Sequence, residues 1–371
     1  MRRQGGFNLL DLLIGVVISM FGLLAVAVTF RDFGQQRTTQ VNASESQTNG
    51  TMALYLIERD LGQAGYGMMG LQNCSFINYY YSGTGYYTDP YVSTNVNTAL
   101  TTLPVQIVDG GASSDTIHIQ YGNSASGATG SDINTANTYP AGYAVTAAVG
   151  FAQGDLAVSN IGGICTLVAV TNTNPVASPI EHATTSPYNV AAAPGGTGWN
   201  SVLAADLAST PKPMLVNLGG FVSRQYSVAK TNETYVMTAR DLPFVAAASA
   251  VVDEIVFLKA QYGMAATCNG TKVVSTWVSA STVIDNTNAC RVIAVRVGVV
   301  ARSPIYEKAA VAPASITVLP AINGGAALAP PGVAGTCATN GTLEVICKPP
   351  DDHYRYRNYS TIIPLKNVIW N

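Results

Sequence analysis

Gly6-Phe7-Asn8-Leu9-Leu10-Asp11 decides how this chain is read. A short basic head, Met1-Arg2-Arg3-Gln4-Gly5, precedes it, and an apolar run follows to Phe30. A helix over residues 7–30 would be roughly 35 Å long at about 1.5 Å per residue, enough to cross a hydrocarbon core of about 30 Å. The run is too long for the apolar part of a cleavable secretory signal. No A-x-A-like site follows it; the chain continues as Arg31-Asp32-Phe33-Gly34. Arg2 and Arg3 are expected to stay in the cytoplasm, which puts the C-terminal bulk outside. Asp11 interrupts the run. An Asp at the centre of a membrane helix costs on the order of 2.5–3.5 kcal/mol, and less near an end. A cut between Gly6 and Phe7 would create an α-amine one helical turn before Asp11. That amine, or the one on a neighbouring subunit, would give the carboxylate a cationic partner, and the helix N-terminus would favour it as well. Without the cut, the same residues read as a signal anchor with a tolerated Asp near the interface.

These residues resemble the class III signal of type IV pilins and pseudopilins. In that family a short basic leader ends in Gly, a prepilin peptidase cuts before Phe and methylates the new amine, and a Glu stands at the fifth mature position. Gly6, Phe7 and the apolar run follow the pattern. Asp11 replaces the usual Glu and is one methylene shorter, and Leu10 stands where Val is common.

Only 11% of the 371 residues are charged and the net charge is -2, so the electrostatic footprint of a nucleic-acid-binding protein is missing. Gly, Ser, Thr, Asn and Ala are abundant, and the aromatics are mainly Tyr. Such a surface of neutral hydrogen-bonding groups suits an extracytoplasmic β-rich protein. The cysteines are Cys74, Cys165, Cys268, Cys290, Cys337 and Cys347, with no C-x-x-C pair and no zinc-like spacing. An even number outside the cytoplasm favours disulfides over free buried thiols. The local pairs Cys268–Cys290 and Cys337–Cys347 would close Gly/Thr/Asn-rich loops, leaving Cys74–Cys165 by subtraction among the 15 connectivities that six cysteines allow.

The first proline is Pro90, so residues 7–62 can form one long helix. Leu54, Ile57 and Leu61 make an apolar stripe in its second half, with Glu58, Arg59 and Asp60 interleaved. This half is expected to pack on its own globular domain. Gly62, Gly65, Gly67 and Gly70 then end it. Beyond residue 71 the signals are strands and loops. Residues 116–121, with His118 expected to face outward, 165–170, 214–217, 221–228 and 235–238 read as strands. Residues 251–263 are expected to begin helical and finish as a strand. Residues 292–301 read as a central strand and 359–363 as another. Thr171–Trp199 and Ala309–Gly335 read as loops or insertions with few buried apolar residues. The expected organisation is a leader 1–6, a transmembrane and assembly helix 7–30, its amphipathic continuation 31–65, and a periplasmic β-rich domain 66–371. The fold class is α+β, a long N-terminal helix packed on an antiparallel sheet domain.

No G-x-S-x-G, H-E-x-x-H or P-loop pattern is present. Pro194-Gly-Gly-Thr-Gly198 lacks the Lys and helix that phosphate binding needs. In Asp351-Asp352-His353, adjacent side chains of an extended chain alternate between faces and cannot converge on one ion. These residues read as a solvated turn. No metal, cofactor or catalytic set is therefore expected. Tyr79-Tyr80-Tyr81 with Tyr86-Tyr87 could stack on sugars or on a partner, or could be ordinary packing.

Asn49–Tyr66, Val252–Gly263, Arg291–Arg302 and Tyr354–Asn367 resemble the PilW family of minor pilins. The resemblance implies a pilin-like fold and no enzymatic activity. It implies a subunit in the complex that primes or caps the pilus. The implied partners are other minor and major pilins, prepilin peptidase, the inner-membrane assembly machinery, and membrane lipid before assembly. The subunit would be a single-pass inner-membrane protein before moving to the pilus surface. Gly15, Ser19 and Gly22 would let helices approach closely, and Asp11 would set axial register. A J-type pseudopilin of type II secretion shares the tail pattern, although such proteins are usually shorter. A membrane-anchored adhesin or sugar-binding module would instead use the loops and the Tyr cluster.

Overall fold

The computed structural model describes residues 9–68, 70–71, 73–74, 76–82, 85–87, 100–124, 130–136, 142–172, 179–189, 204–241, 247–285, 287–322 and 328–367. The leader, the Gly6–Phe7 junction and the 194–198 loop lie outside these residues. Of Asp11 only the backbone is described.

Helix α1 spans Leu9–Gln63 without a break. Left-handed glycines then turn the chain, at Gly65, Gly67 and Gly70 with φ of +79°, +82° and +95°. The first strands are β1 Phe76–Tyr81, β2 Gly85–Tyr87, β3 Leu100–Thr101, β4 Val105–Val108, β5 Thr116–Tyr121, β6 Ser131–Asp132, β7 Leu156–Ile161 and β8 Ile164–Ala169. A single helical turn, α2 Ala204–Leu207, leads to β9 Met214–Gly219, β10 Val222–Thr231, β11 Thr234–Asp241, β12 Ser249–Asp253 and β13 Ile255–Met264. The chain finishes with β14 Thr276–Ser279, β15 Val292–Arg302, β16 Ile316–Leu319, β17 Cys337–Thr339, β18 Val345–Cys347 and β19 Tyr356–Pro364.

These strands build four sheets. The order β14-β13-β15-β19 forms one, and β12-β11-β10-β5-β4 another. Seven strands, β2-β1-β8-β7-β9-β6 with β3 beside β1, form a third, and β16-β18-β17 a fourth. The named pairings are antiparallel except β1 with β8, which run parallel with Ile77 opposite Cys165. Cys74 reaches Cys165 beside this pairing. The other disulfides are Cys268–Cys290 and Cys337–Cys347, the latter joining residues directly opposite each other on β17 and β18. These are the three pairs that loop closure and subtraction suggest.

Strand β15 is buried throughout, between β13 and β19. Its Val295, Val297 and Val299 join the main core with Ala53, Ile57 and Leu61 of the helix. On its other face, Val300 packs with Val318 and Cys347 of the small sheet. A Cβ on Gly298 would meet the Val318 carbonyl oxygen at 2.7 Å, so glycine permits this close layer. Arg296 points into the same layer and donates to Gln261 Oε1 at 2.7 Å, Pro320 O at 2.8 Å and Leu343 O at 2.6 Å. Burial pulls its guanidinium down to about 10.

Several expectations are corrected here. Residues 251–263 contain no helix. They form β12 and β13, separated at Glu254, where φ is +58° and the carboxylate takes Arg302 Nε at 2.6 Å. The stretch 309–335 is not all loop, because Ile316–Leu319 pairs with β18 and buries Val318. The expectation of few buried apolar residues at 171–199 is not overturned: in the described part Ile180 is buried and bridges Tyr143. His118 does not face water. It is 1% exposed, and its Nε2 lies 2.7 Å from Ser223 Oγ. Its row on the five-stranded sheet also buries Gln106, Gln120 and Ser223. Period-two alternation separates the two faces of a strand but does not say which face meets solvent.

Candidate functional site: a bare apolar helix held by a sheet

The two halves of α1 have different surroundings. Leu12–Arg31 is long and apolar enough to cross a membrane, and none of it is buried against the rest of the chain. Leu13, Val16, Met20, Phe21, Leu24 and Val28 are all exposed. In water such a surface is unfavourable by about 25 cal/mol per Å2, so it favours an apolar covering.

Positions 11, 15, 19 and 22 are spaced i, i+4, i+8 and i+11. At 3.6 residues per turn they fall on one face of the helix. Nothing lies within 4 Å of where a Cβ would stand on Gly15 or Gly22. Ser19 Oγ donates to Val16 O at 2.8 Å, so its hydroxyl is folded back onto its own helix. The face is therefore small-residued and open. The side chain of Asp11 is not described, so its partner is not seen.

The second half of the helix is held tightly. Ala53, Ile57 and Leu61 are fully buried, whereas Leu54 is only partly so, which rotates the stripe from the expected one. Gly50 is buried against Tyr359 of β19, and a Cβ there would overlap ring carbons Cδ2 and Cε2. A glycine in a helix interior costs about 1 kcal/mol relative to Ala, and that cost is the sequence signal that could have marked the position.

Asp60 is the other contact that sequence reasoning missed, because it reads as part of a charged face. It is fully buried. Its Oδ1 accepts from Arg59 Nε at 3.0 Å and Tyr121 OH at 3.2 Å, and its Oδ2 from Arg224 Nη1 at 2.9 Å and Tyr226 OH at 2.8 Å. Arg224 also grips Asp241 through Nε at 2.6 Å and Nη2 at 2.9 Å. The hydrogen bonds to Asp241, ahead of its other neighbours, push the Arg224 guanidinium above its ordinary value. Burial and the adjacent carboxylate raise the Tyr226 hydroxyl, keeping it a donor. Past the helix end, Leu365 N donates to Ile293 O at 2.8 Å, and the Asn367 amide approaches the Gly62 and Gln63 carbonyls at 3.5 Å. A Cβ on Gly65 would meet Asn367 O at 2.5 Å, so the C-terminal tail closes over the helix end.

The remaining candidates lie in a hairpin and in a turn. Tyr79, Tyr80 and Tyr81 pair with Tyr87, Tyr86 and Gly85 in the β1–β2 hairpin, and Tyr79 is buried. Asp351–His353 forms a turn in which Asp351 Oδ1 accepts from His353 N at 2.8 Å. His353 Nδ1 lies 2.8 Å from Glu307 O. Among the described residues, no group of three or more His, Cys, Asp or Glu side chains could hold a metal ion.

The family model of type IV pilus-assembly protein W, PilW, matches residues 225–367. The match runs from β10 to Asn367 and takes in β13, β15 and β19, the strands that carry the helix. No curated protein and no solved structure matches the chain. The matched region holds the sheet and the tail that close over the second half of the helix, and over residues 225–367 this chain is similar to the PilW family of type IV pilus-assembly proteins.

Proposed function

We propose that the chain is a minor pilin of the complex that primes or caps the type IV pilus. Similarity to the family over residues 225–367 supports involvement in pilus assembly. The finer reading rests on one observation: a 55-residue helix whose apolar half is wholly exposed while its other half is locked into the family-matched sheet. A subunit built in this way offers the bare half first to lipid and then to neighbouring helices. Prepilin peptidase would cut after Gly6, leaving an amine at Phe7 one turn before Asp11. During entry into the growing fibre that amine, or a neighbour's, would neutralise the Asp11 carboxylate and fix the axial offset between subunits. The stripe of Gly15, Ser19 and Gly22 would set how closely the helices pack. The role is structural, with other pilins and the inner-membrane machinery as partners, and no catalytic step is assigned.

N-terminal mass spectrometry of the protein from cells with and without the peptidase tests processing. A chain starting at methylated Phe7 only when the peptidase is present is the expected result. An intact Met1 in both would remove the processing step and with it the assembly role of Asp11. Asp11→Ala should then lower incorporation into pili while the outer domain stays folded, and pili of unchanged number and composition would refute the pairing.

A further inference from the structure

Where α1 leaves the apolar span, it borders a cleft that the assembly reading does not use. The cleft is about 780 Å3, and its lining includes Arg31, Thr39, Glu307, Lys308, Val311 and Arg355. Arg31 is the last residue of the apolar span, so one wall begins where hydrocarbon would end. Thr39 is roughly 12 Å further along the axis at about 1.5 Å per residue. A headgroup layer is about 5–8 Å thick, from a core of about 30 Å within a bilayer of about 40–45 Å. With residues 12–31 spanning the membrane, the helix wall of the cleft therefore begins at headgroup level.

The facing wall is the loop after β15, and it is held rigidly. Ser303 N donates to Arg355 O, Glu307 N to His353 O and Val311 N to Asp352 O, each at 2.8 Å. In this loop Ile305 and Tyr306 are 44% and 55% exposed. The Tyr306 ring is stacked on His353 with centroids 4.6 Å apart. An exposed aromatic and an aliphatic beside a lysine are typical of a membrane–water interface. The charges are unbalanced. Glu307 is held by Arg355 through Nε at 2.5 Å and Nη2 at 3.0 Å. Asp352 is 68% exposed and its carboxylate is 3.5 Å from His353 Nε2. Arg31, Lys308 and Arg355 against Glu307 leave the lining with an excess of two positive charges.

We propose that this cleft holds the phosphate of an anionic phospholipid, with Arg31 and Lys308 as its partners and Ile305 and Tyr306 seated at the headgroup boundary. The bound lipid sets the height of the subunit in the bilayer before assembly. This inference rests on the reading that residues 12–31 span a membrane, and it adds the lipid class and the residues that select it.

The full chain is placed in nanodiscs containing equal amounts of phosphatidylglycerol and phosphatidylcholine, and the lipid retained on release is counted by native mass spectrometry. Preferential retention of phosphatidylglycerol is expected. Arg31→Gln and Lys308→Gln, both at exposed positions, should each lower it about five-fold. Lys272→Gln, in the loop between β13 and β14, should leave it unchanged. Equal retention of the two lipids, a preference that survives Arg31→Gln with Lys308→Gln, or displacement of the lipid by millimolar inorganic phosphate overturns the lipid site alone. A chain that never enters the nanodiscs overturns the spanning reading and the lipid site together.

Discussion

Gly50 of the helix lies against the Cδ2 and Cε2 carbons of the Tyr359 ring on β19, with no room for a methyl group between them. The contact sets how closely the helix approaches the sheet, because backbone rather than side chain meets the ring. It also decides between two opposing effects. Gly→Ala in a helix interior ordinarily stabilises by about 1 kcal/mol. Overpacking a filled interface costs about 1–3 kcal/mol. Gly50→Ala is therefore expected to lower the thermal midpoint of the full chain in detergent, by about 2–4 °C for each kcal/mol lost. Adding Tyr359→Ala should recover part of the loss. A midpoint that rises in the single variant would show that the ring can swing aside.

Asp60 joins the helix to β5 and β10 through charged and phenolic donors. Removing its carboxylate leaves the buried side of Arg224 without its second acid. Breaking a buried pair from one side costs about 3–5 kcal/mol, so Asp60→Ala should show a loss of that size in urea unfolding. Tyr226→Phe removes one hydrogen bond and should cost about 1–2 kcal/mol. Equal effects from the two variants would mean that the carboxylate is not the centre of the contact.

Burial keeps His118 and His182 neutral and holds their values near 3 and 4. The unfolded chain binds these protons near pH 6.5. Between that pH and the folded values, the unfolded state carries protons that the native state refuses. Stability from each His is thus fully present above about pH 6.5 and falls as the pH drops. Lowering the pH from 6.5 to 5 should cost about 2 kcal/mol for each histidine. His118→Gln should flatten that slope, and a slope identical to wild type would place the pH dependence elsewhere.

The disulfides should differ in worth because they close loops of different length. Cys74–Cys165 spans 91 residues and Cys337–Cys347 spans 10. Chain-entropy estimates give about 5 and about 3 kcal/mol. Replacing the first pair by Ala should therefore lower stability by about 2 kcal/mol more than replacing the second. The reverse order in denaturant unfolding would assign the stabilisation to native-state packing instead of loop entropy.

Local pattern alone determined much of this protein. The absence of proline before Pro90 and the change of periodicity at the glycines mark one long helix and place its end within a residue of Gln63. The apolar run predicts a surface that the sheet domain leaves bare, and the β-branched run at 292–301 predicts the central strand. These features are encoded by residues within a few turns of one another, where helix and strand periods can be read directly. Tertiary structure alone decided where polar groups went. Asp60 reads as one charge of a solvated face, yet its partners Tyr121 and Arg224 lie 61 and 164 residues away. His118 alternates like an outward residue, yet its face of the sheet is covered. Glu254 adopts a left-handed conformation between two strands and is tied to Arg302. Burial of a polar group depends on whether distant donors and acceptors arrive to satisfy it, and no local period carries that information.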